Sequence, residues 1–250
     1  MARLNTFHLP PDQWPASCGD IVILTGPEAR HMGTILRTER DQVVRFFDGQ
    51  GRDGLFKVLD IAKNRAELEA VELTEHPEPE GGLTLAIGWG KSKRRDYLLE
   101  KAVELQGRGI VFWRAARSQG TPPDDPKGTW NEKFIQAAKQ CGAVRLPALE
   151  TVSGGLEGLL SLAGDFDSLY LAWEAEEASV ALSPSMLSKG RTLVVIGPEG
   201  GFDSAEADRL IGAGFAPVTL GPSILRWETA AVYCLSLALF GAQDRSCSLK

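Results

Sequence analysis

Along the first 75 residues, apolar positions come in short runs. Residues 21–24, 43–47, 55–61 and 66–71 each have strand character. Asp48-Gly49-Gln50-Gly51 and Asp53-Gly54 mark turns between them, and a helical pattern covers 28–37. These elements predict a small β-barrel over residues 1–75. The stretch 76–82, HPEPEGG, has linker composition, with two prolines to stiffen it and two glycines to end it. From Leu83 the period changes. Buried strands are expected at 83–89, 109–113, 168–173, 193–197 and 216–221, and helices at 97–107, 131–142, 204–214 and 228–241. Strands alternating with helices at this spacing predict an α/β domain over 83–250, a parallel sheet with helices on both faces.

Composition narrows the class. The 250 residues are 43% hydrophobic, the usual balance of a globular chain, and no apolar run approaches the ~20 residues of a membrane span. The longest, 230–240, reads as a buried helix. The opening residues lack the apolar core of a signal peptide, so no membrane association and a cytoplasmic location are expected. Cys18, Cys141, Cys234 and Cys247 form no C-x-x-C pair, and the histidines are His8, His31 and His76. A zinc cluster is therefore not expected, no metal is assigned, and the cysteines read as free thiols. The net charge of −6 is unevenly spread. Residues 91–145 carry 12 Lys/Arg against 6 Asp/Glu, a surplus of +6 that leaves −12 for the remainder. Such a segment on an acidic chain fits one surface for an anionic ligand, or else a solvated helix face.

Two glycine-containing stretches carry the candidate chemistry. GWGKSKRRD, 88–96, imitates a phosphate loop, yet Leu85 stands where a P-loop needs glycine and Lys93 where a dinucleotide fingerprint needs it. What remains is a cationic cluster, Lys91, Lys93, Arg94 and Arg95, suited to a nucleic-acid backbone and equally at home on a solvated loop. IGPEGGF, 196–202, differs in kind. Pro198 fixes φ, while Gly200 and Gly201 permit close approach of a ligand to the main chain. Asp203 with Glu206 is a capping-box pattern that starts a helix near Ser204. TLGPSILRWETA, 219–230, repeats the design: a strand, Leu220-Gly221-Pro222, a loop, and a helix opening at Glu228-Thr229-Ala230. Two adjacent strands ending in Gly-Pro form one cleft in this reading, with a third strand end at 169–177 to close it.

Together these two loops resemble the signature loops of the SPOUT methyltransferases, and the whole chain is similar to the bacterial 16S rRNA uracil-N3 methyltransferase family of the RsmE type. RHMGTILR at 30–37, FFDGQG at 46–51, KSKRRDYLLEKAVELQ at 91–106 and AAKQCGAVRLP at 137–147 add to the likeness. The resemblance implies a PUA-like β-barrel that binds RNA, a C-terminal SPOUT domain with a trefoil knot, and a homodimer. It implies S-adenosylmethionine as cofactor, held by Ile196, Gly197, Pro198, Glu199, Gly200 and Gly201 of the first loop. The second loop contributes Leu220, Gly221, Ile224, Leu225, Thr229 and Ala230. The implied substrate is 16S rRNA or the assembled small ribosomal subunit. The chain departs from the family pattern at Asp41, Lys139, Ala143, Ser223 and Trp227, and the usual pattern is also missing from 107–120.

Methylation at uridine N3 requires loss of the N3 proton and stabilisation of the anion that results. Arg226 is the expected cation. Glu228 is expected to set site polarity at its helix start, with proton acceptance as its second possible role. Arg3, Arg30, His31 and Arg37 are expected to hold RNA with the Lys91, Lys93, Arg94, Arg95 cluster. Two rivals come from other classes: an RNA-binding assembly factor that keeps the fold without turnover, and a nucleotide hydrolase built on Gly90-Lys91-Ser92.

Overall fold

The computed structural model describes residues 4–90, 94–174 and 180–248. The chain divides into two compact units, one running to Glu78 and including Ile135–Leu146, the other formed by Pro79–Phe134 and the residues from Pro147 onward.

The first unit contains β1 (Thr6–His8), β2 (Ile21–Thr25), α1 (Gly26–Arg30), β3 (Val43–Phe47), β4 (Arg52–Ala62) and β5 (Arg65–Glu75). The strands follow the order β1-β3-β4-β5-β2, and all five place side chains in one core. Phe7, Val22, Val44, Phe46, Phe56, Val58 and Leu68 meet there with Met32 from the turn after α1. Alternation sets the faces: β2 buries Val22 and Leu24 and exposes Ile21 and Ile23. The expected helix over 28–37 is two short pieces, α1 and a wider turn at His31–Ile35. The short strand β1 has no periodic signal and is held by parallel pairing with β3. Asp41 explains one departure from the family pattern. Its φ is 68°, a left-handed conformation that glycine adopts freely and aspartate tolerates, and its carboxylate pairs with Lys57 at 2.8 Å. Lys139, another departure, is nearly buried against the Glu28 carboxylate. Nothing in the structure accounts for Ala143.

The second unit contains β6 (Gly82–Gly88), α2 (Arg95–Glu104), β7 (Gly109–Trp113), the start of α3 (Gly128–Cys141), β8 (Ala148–Val152), α4 (Gly155–Ser161) and β9 (Ser168–Ala172). It continues through α5 (Pro184–Leu187), β10 (Arg191–Ile196), α6 (Ser204–Gly212), β11 (Ala216–Val218) and α7 (Trp227–Ser248). Its six strands are all parallel, in the order β11-β9-β10-β6-β7-β8. The central strand β10 buries five consecutive residues, as a strand covered on both faces must. Leu193 and Val195 join Ala86, Val111, Trp113, Leu171, Leu210 and Phe215 in one core.

One expectation is corrected here. The strands that end in the two Gly-Pro loops, β10 and β11, are not adjacent, because β9 lies between them and pairs with both. The crossover through α6 passes over β9, so the third strand end lies inside the cleft and not at its margin. From β6 the chain proceeds to β7 on one side, while from β10 it crosses to β11 on the other. Crevices form at such switch points, outside the C-terminal ends of the strands.

Candidate active site

A cavity of about 480 Å³ opens at the C-terminal ends of β9, β10 and β11. From β9 come Ala172, Trp173 and Glu174; residues 175–177, the rest of the expected third strand end, lie outside the described residues. From β10 and its loop come Ile196, Gly197, Pro198, Glu199, Gly201 and Phe202. From the loop after β11 come Thr219, Leu220, Gly221, Ser223, Ile224 and Leu225, with Arg226, Glu228 and Ala230 at the start of α7. Two polypeptide bends with little side-chain bulk thus face one space.

Backbone conformation shows why glycine stands in these bends. Gly201 has φ 71° and Gly221 has φ 120°, values that side chains rarely permit. Nothing lies within 4 Å of a Cβ placed on Gly221, so conformation alone demands glycine there. Gly201 N–H donates to the Pro198 carbonyl at 2.9 Å and closes the first bend. Asp203 then caps α6, its Oδ1 accepting the Ala205 N–H at 3.1 Å.

Two expected cofactor residues face elsewhere. A Cβ on Gly200 would lie 3.2 Å from Cβ of Arg117, and the Gly200 carbonyl accepts from Arg117 Nη1 at 3.2 Å, so this glycine packs on the loop after β7. Thr229 is exposed on α7 and borders an adjoining open groove with Tyr97, Val232 and Tyr233.

The charged residues separate by environment. Glu228 is buried in the first turn of α7 and forms an ion pair with Arg94, whose side chain is half exposed. Arg94 therefore stands at the cavity. Arg226 lines the cavity, is exposed, and makes no ion pair among the described residues. Arg95 is half-buried: its guanidinium stacks 3.8 Å from the Trp89 ring centre, and Nη2 donates to the Gly90 carbonyl at 2.7 Å. In the first unit, Arg30 and Arg37 are exposed, and His31 is half-buried with its ring edge-on to Phe7 at 5.9 Å. Arg3, Lys91 and Lys93 lie outside the described residues. The Glu199 carboxylate occupies the space that a side chain at Gly90 would need; Lys91 and Ser92 of the imitated phosphate loop lie outside the described residues. Among the described residues, no cluster of His, Cys, Asp or Glu is disposed to hold a metal, and no helix is long and apolar enough to cross a membrane.

Trp173, Phe202, Thr219 and Trp227 line the cavity without having been singled out as cofactor residues. Trp227 is 9% exposed and fills the helix start beside Glu228. Position after a strand end was the available signal for Trp173, and position inside the second loop was that for Thr219 and Trp227.

Glu206, the carboxylate of the expected capping box, also reaches beyond its own helix. It is 7% exposed, its Oε1 accepts the Ala116 N–H at 2.8 Å, and Oε2 has no partner among the described residues. Burial raises its pKa and outweighs the favourable N–H groups of Ala116 and Asp203. A carboxyl whose folded pKa lies above its unfolded value contributes stability below the unfolded pKa, about 4.3, and loses it as pH rises through the folded value. Glu206→Gln is therefore expected to gain on the wild type in melting temperature between pH 4 and pH 8. A difference that is flat or opposite in sign across that range contradicts the assignment.

A cleft at the strand ends of a parallel sheet in one unit, and a five-stranded sheet in the other, define a two-domain protein with an α/β domain. The family model described as an RNA methyltransferase domain matches residues 76–239, and the RNA methyltransferase PUA domain matches 24–71. The ribosomal RNA small subunit methyltransferase E of Bacillus subtilis is 30% identical over 226 residues, 85% of this chain and 87% of that protein. Its counterpart in Mycobacterium tuberculosis is 27% identical over 232 residues, 87% and 85% of the two chains. The crystal structure of a ribosomal RNA small subunit methyltransferase E from Neisseria gonorrhoeae, bound to S-adenosyl methionine, is 26% identical with a TM-score of 0.77, covering 94% of this chain and 96% of that one. The chain belongs to the RsmE-type family of small-subunit ribosomal RNA methyltransferases, with an RNA methyltransferase domain and a PUA domain.

Proposed function

We propose that this chain transfers a methyl group from S-adenosylmethionine to N3 of a uridine in 16S rRNA. The observation that carries the reading is the cavity itself: two glycine-containing bends, at 197–201 and 219–226, face one space with apolar walls from Ile196, Leu220 and Leu225. Its chemistry fits the cofactor. Carbonyl and N–H groups of glycine-rich backbone can read an adenine edge, apolar side chains cover its faces, and Glu199 and Glu174 supply negative charge near a cation. The Neisseria gonorrhoeae relative, which binds this cofactor, supports the same assignment. When bound, S-adenosylmethionine supplies an electrophilic methyl group on a sulfonium.

The remaining chemistry belongs to the chain. A uridine extruded from its stack presents N3 and the flanking carbonyl oxygens. Arg226, at the rim, stabilises the anion left when N3 loses its proton. Glu228, paired with Arg94 at the first turn of α7, fixes the polarity of the site, with proton acceptance as its second role. Arg30, His31 and Arg37 grip the RNA backbone from the PUA domain, residues 1–75. The exposed Tyr97 and Tyr233 beside Arg94 and Glu228 support a homodimer interface that borders the site, which sedimentation reads directly. The chain acts in the cytoplasm, where its ribosomal substrate is found.

The test is nucleoside mass spectrometry of small-subunit RNA from particles lacking the modification, after incubation with the chain and the methyl donor. 3-Methyluridine is expected. Methylation of another base or atom contradicts the reading, and cofactor binding with no methylation favours the non-catalytic assembly factor.

A further inference from the structure

Arg95 is held in a way that its neighbours in the basic cluster do not explain. Its guanidinium carbon lies 3.8 Å from the ring centre of Trp89 and 5.4 Å from those of Phe112 and Trp130. The three rings also touch one another: Trp89 meets Phe112 at 5.7 Å, and Phe112 meets Trp130 at 5.4 Å. The main chain at Trp89 is fixed in turn, its backbone N–H donating to the Trp113 carbonyl at 2.8 Å. Cation–π stacking of this kind is strongest where the cation has lost its water, and Arg95 is half-buried. A solvated, RNA-facing arginine needs no such cage.

The cage has an output. Arg95 Nη2 donates to the Gly90 carbonyl at 2.7 Å. Gly90 packs so closely on Glu199 that any side chain at position 90 would overlap the Glu199 carboxylate. Glu199 lines the cavity. One position earlier in the chain than Arg95, Arg94 forms the pair with Glu228 on the cavity's other side. We infer that Arg95 is a positioning residue: clamped by Trp89, Phe112 and Trp130, it holds the Gly90 main chain against Glu199 and so sets where that carboxylate stands in the cofactor cavity. The inference rests on the cavity being the S-adenosylmethionine site. It assigns a role to an arginine that does not itself line the cavity.

Three variants and calorimetric titration with S-adenosylmethionine test it. Gly90→Ala places a methyl group against the Glu199 carboxylate, which must swing away; the flexible end of that side chain lets the fold survive. Arg95→Lys keeps the charge and loses the planar stack. Both are expected to weaken binding about tenfold, the effect of disturbing a charged hydrogen-bonded group. In both, kcat at saturating donor stays within a few-fold of the wild type while KM for the donor rises. In a Glu199→Ala background, Gly90→Ala is expected to add nothing further, since the group it displaces is gone. Arg95→Lys or Gly90→Ala binding the donor as the wild type does, or Gly90→Ala costing as much without Glu199 as with it, overturns the inference. A fall in melting temperature with unchanged donor binding also overturns it, because Arg95 then serves stability alone. A wild-type chain that fails to bind the donor is a different outcome, and sinks the proposed function along with the inference.

Discussion

Arg226→Ala is expected to lower kcat for methyl transfer by about 10²–10³-fold, with little change in cofactor affinity. The arginines around the cavity differ in how far their charge is already committed. Arg94 is paired with Glu228, Arg95 is stacked among three aromatic rings, and Arg117 donates to the Gly200 carbonyl and lies 3.8 Å from Asp203. Arg226 lines the cavity and has no ion-pair partner among the described residues. A guanidinium placed where charge develops acts mainly on the transition state, so its loss appears in kcat and not in ground-state binding. Arg226→Lys is expected to recover part of the rate, because the charge returns without the planar fork. Single-turnover methyl transfer, with calorimetry for the cofactor, separates the two effects. A rate for Arg226→Ala within a few-fold of the wild type removes Arg226 from the catalytic assignment.

The second large effect falls on binding. Gly221→Val is expected to weaken S-adenosylmethionine binding by roughly 5–150-fold, the equivalent of about 1–3 kcal/mol of backbone strain. Gly221 has φ 120°, a conformation hostile to a β-branched residue, and no atom lies within 4 Å of the added Cβ. The substitution therefore acts on the shape of the loop and not through a clash. An exposed loop relieves such strain by moving, so the melting temperature is expected to stay nearly constant while the cavity wall is lost. Calorimetric titration beside a thermal melt reads both. Unchanged affinity in the variant excludes this bend from the cofactor site.

The larger unit was legible because its strands are buried on both faces. Residues 109–113 and 193–196 are apolar runs that stand out against the helical stripes between them. β8 escaped because Ala148–Val152 is a partly exposed edge strand with no alternation to mark it. Strand order is set by crossovers that periodicity does not encode, which is why β9 between the two Gly-Pro strands came as a correction. In the site, proline and glycine announced the bends, since few residues tolerate those dihedral angles. The direction each residue faces was not written there. Gly200 and Gly201 are neighbours of one type, yet one packs on Arg117 and the other lines the cavity. Gly88 and Gly90 imitated a phosphate loop because close packing against Pro198 and Glu199 makes the same demand for a missing side chain. The aromatic cage around Arg95 draws on the ends of three separate elements and has no linear signature.

Co-crystallisation of the chain with S-adenosylmethionine tests the account where it is most exposed. Density for the donor is expected between 197–201 and 219–226, with its adenine against main chain and its transferable methyl group directed toward the space beside Arg226 and Glu228. Both bends closed on themselves, with the donor bound elsewhere or absent, contradicts the account.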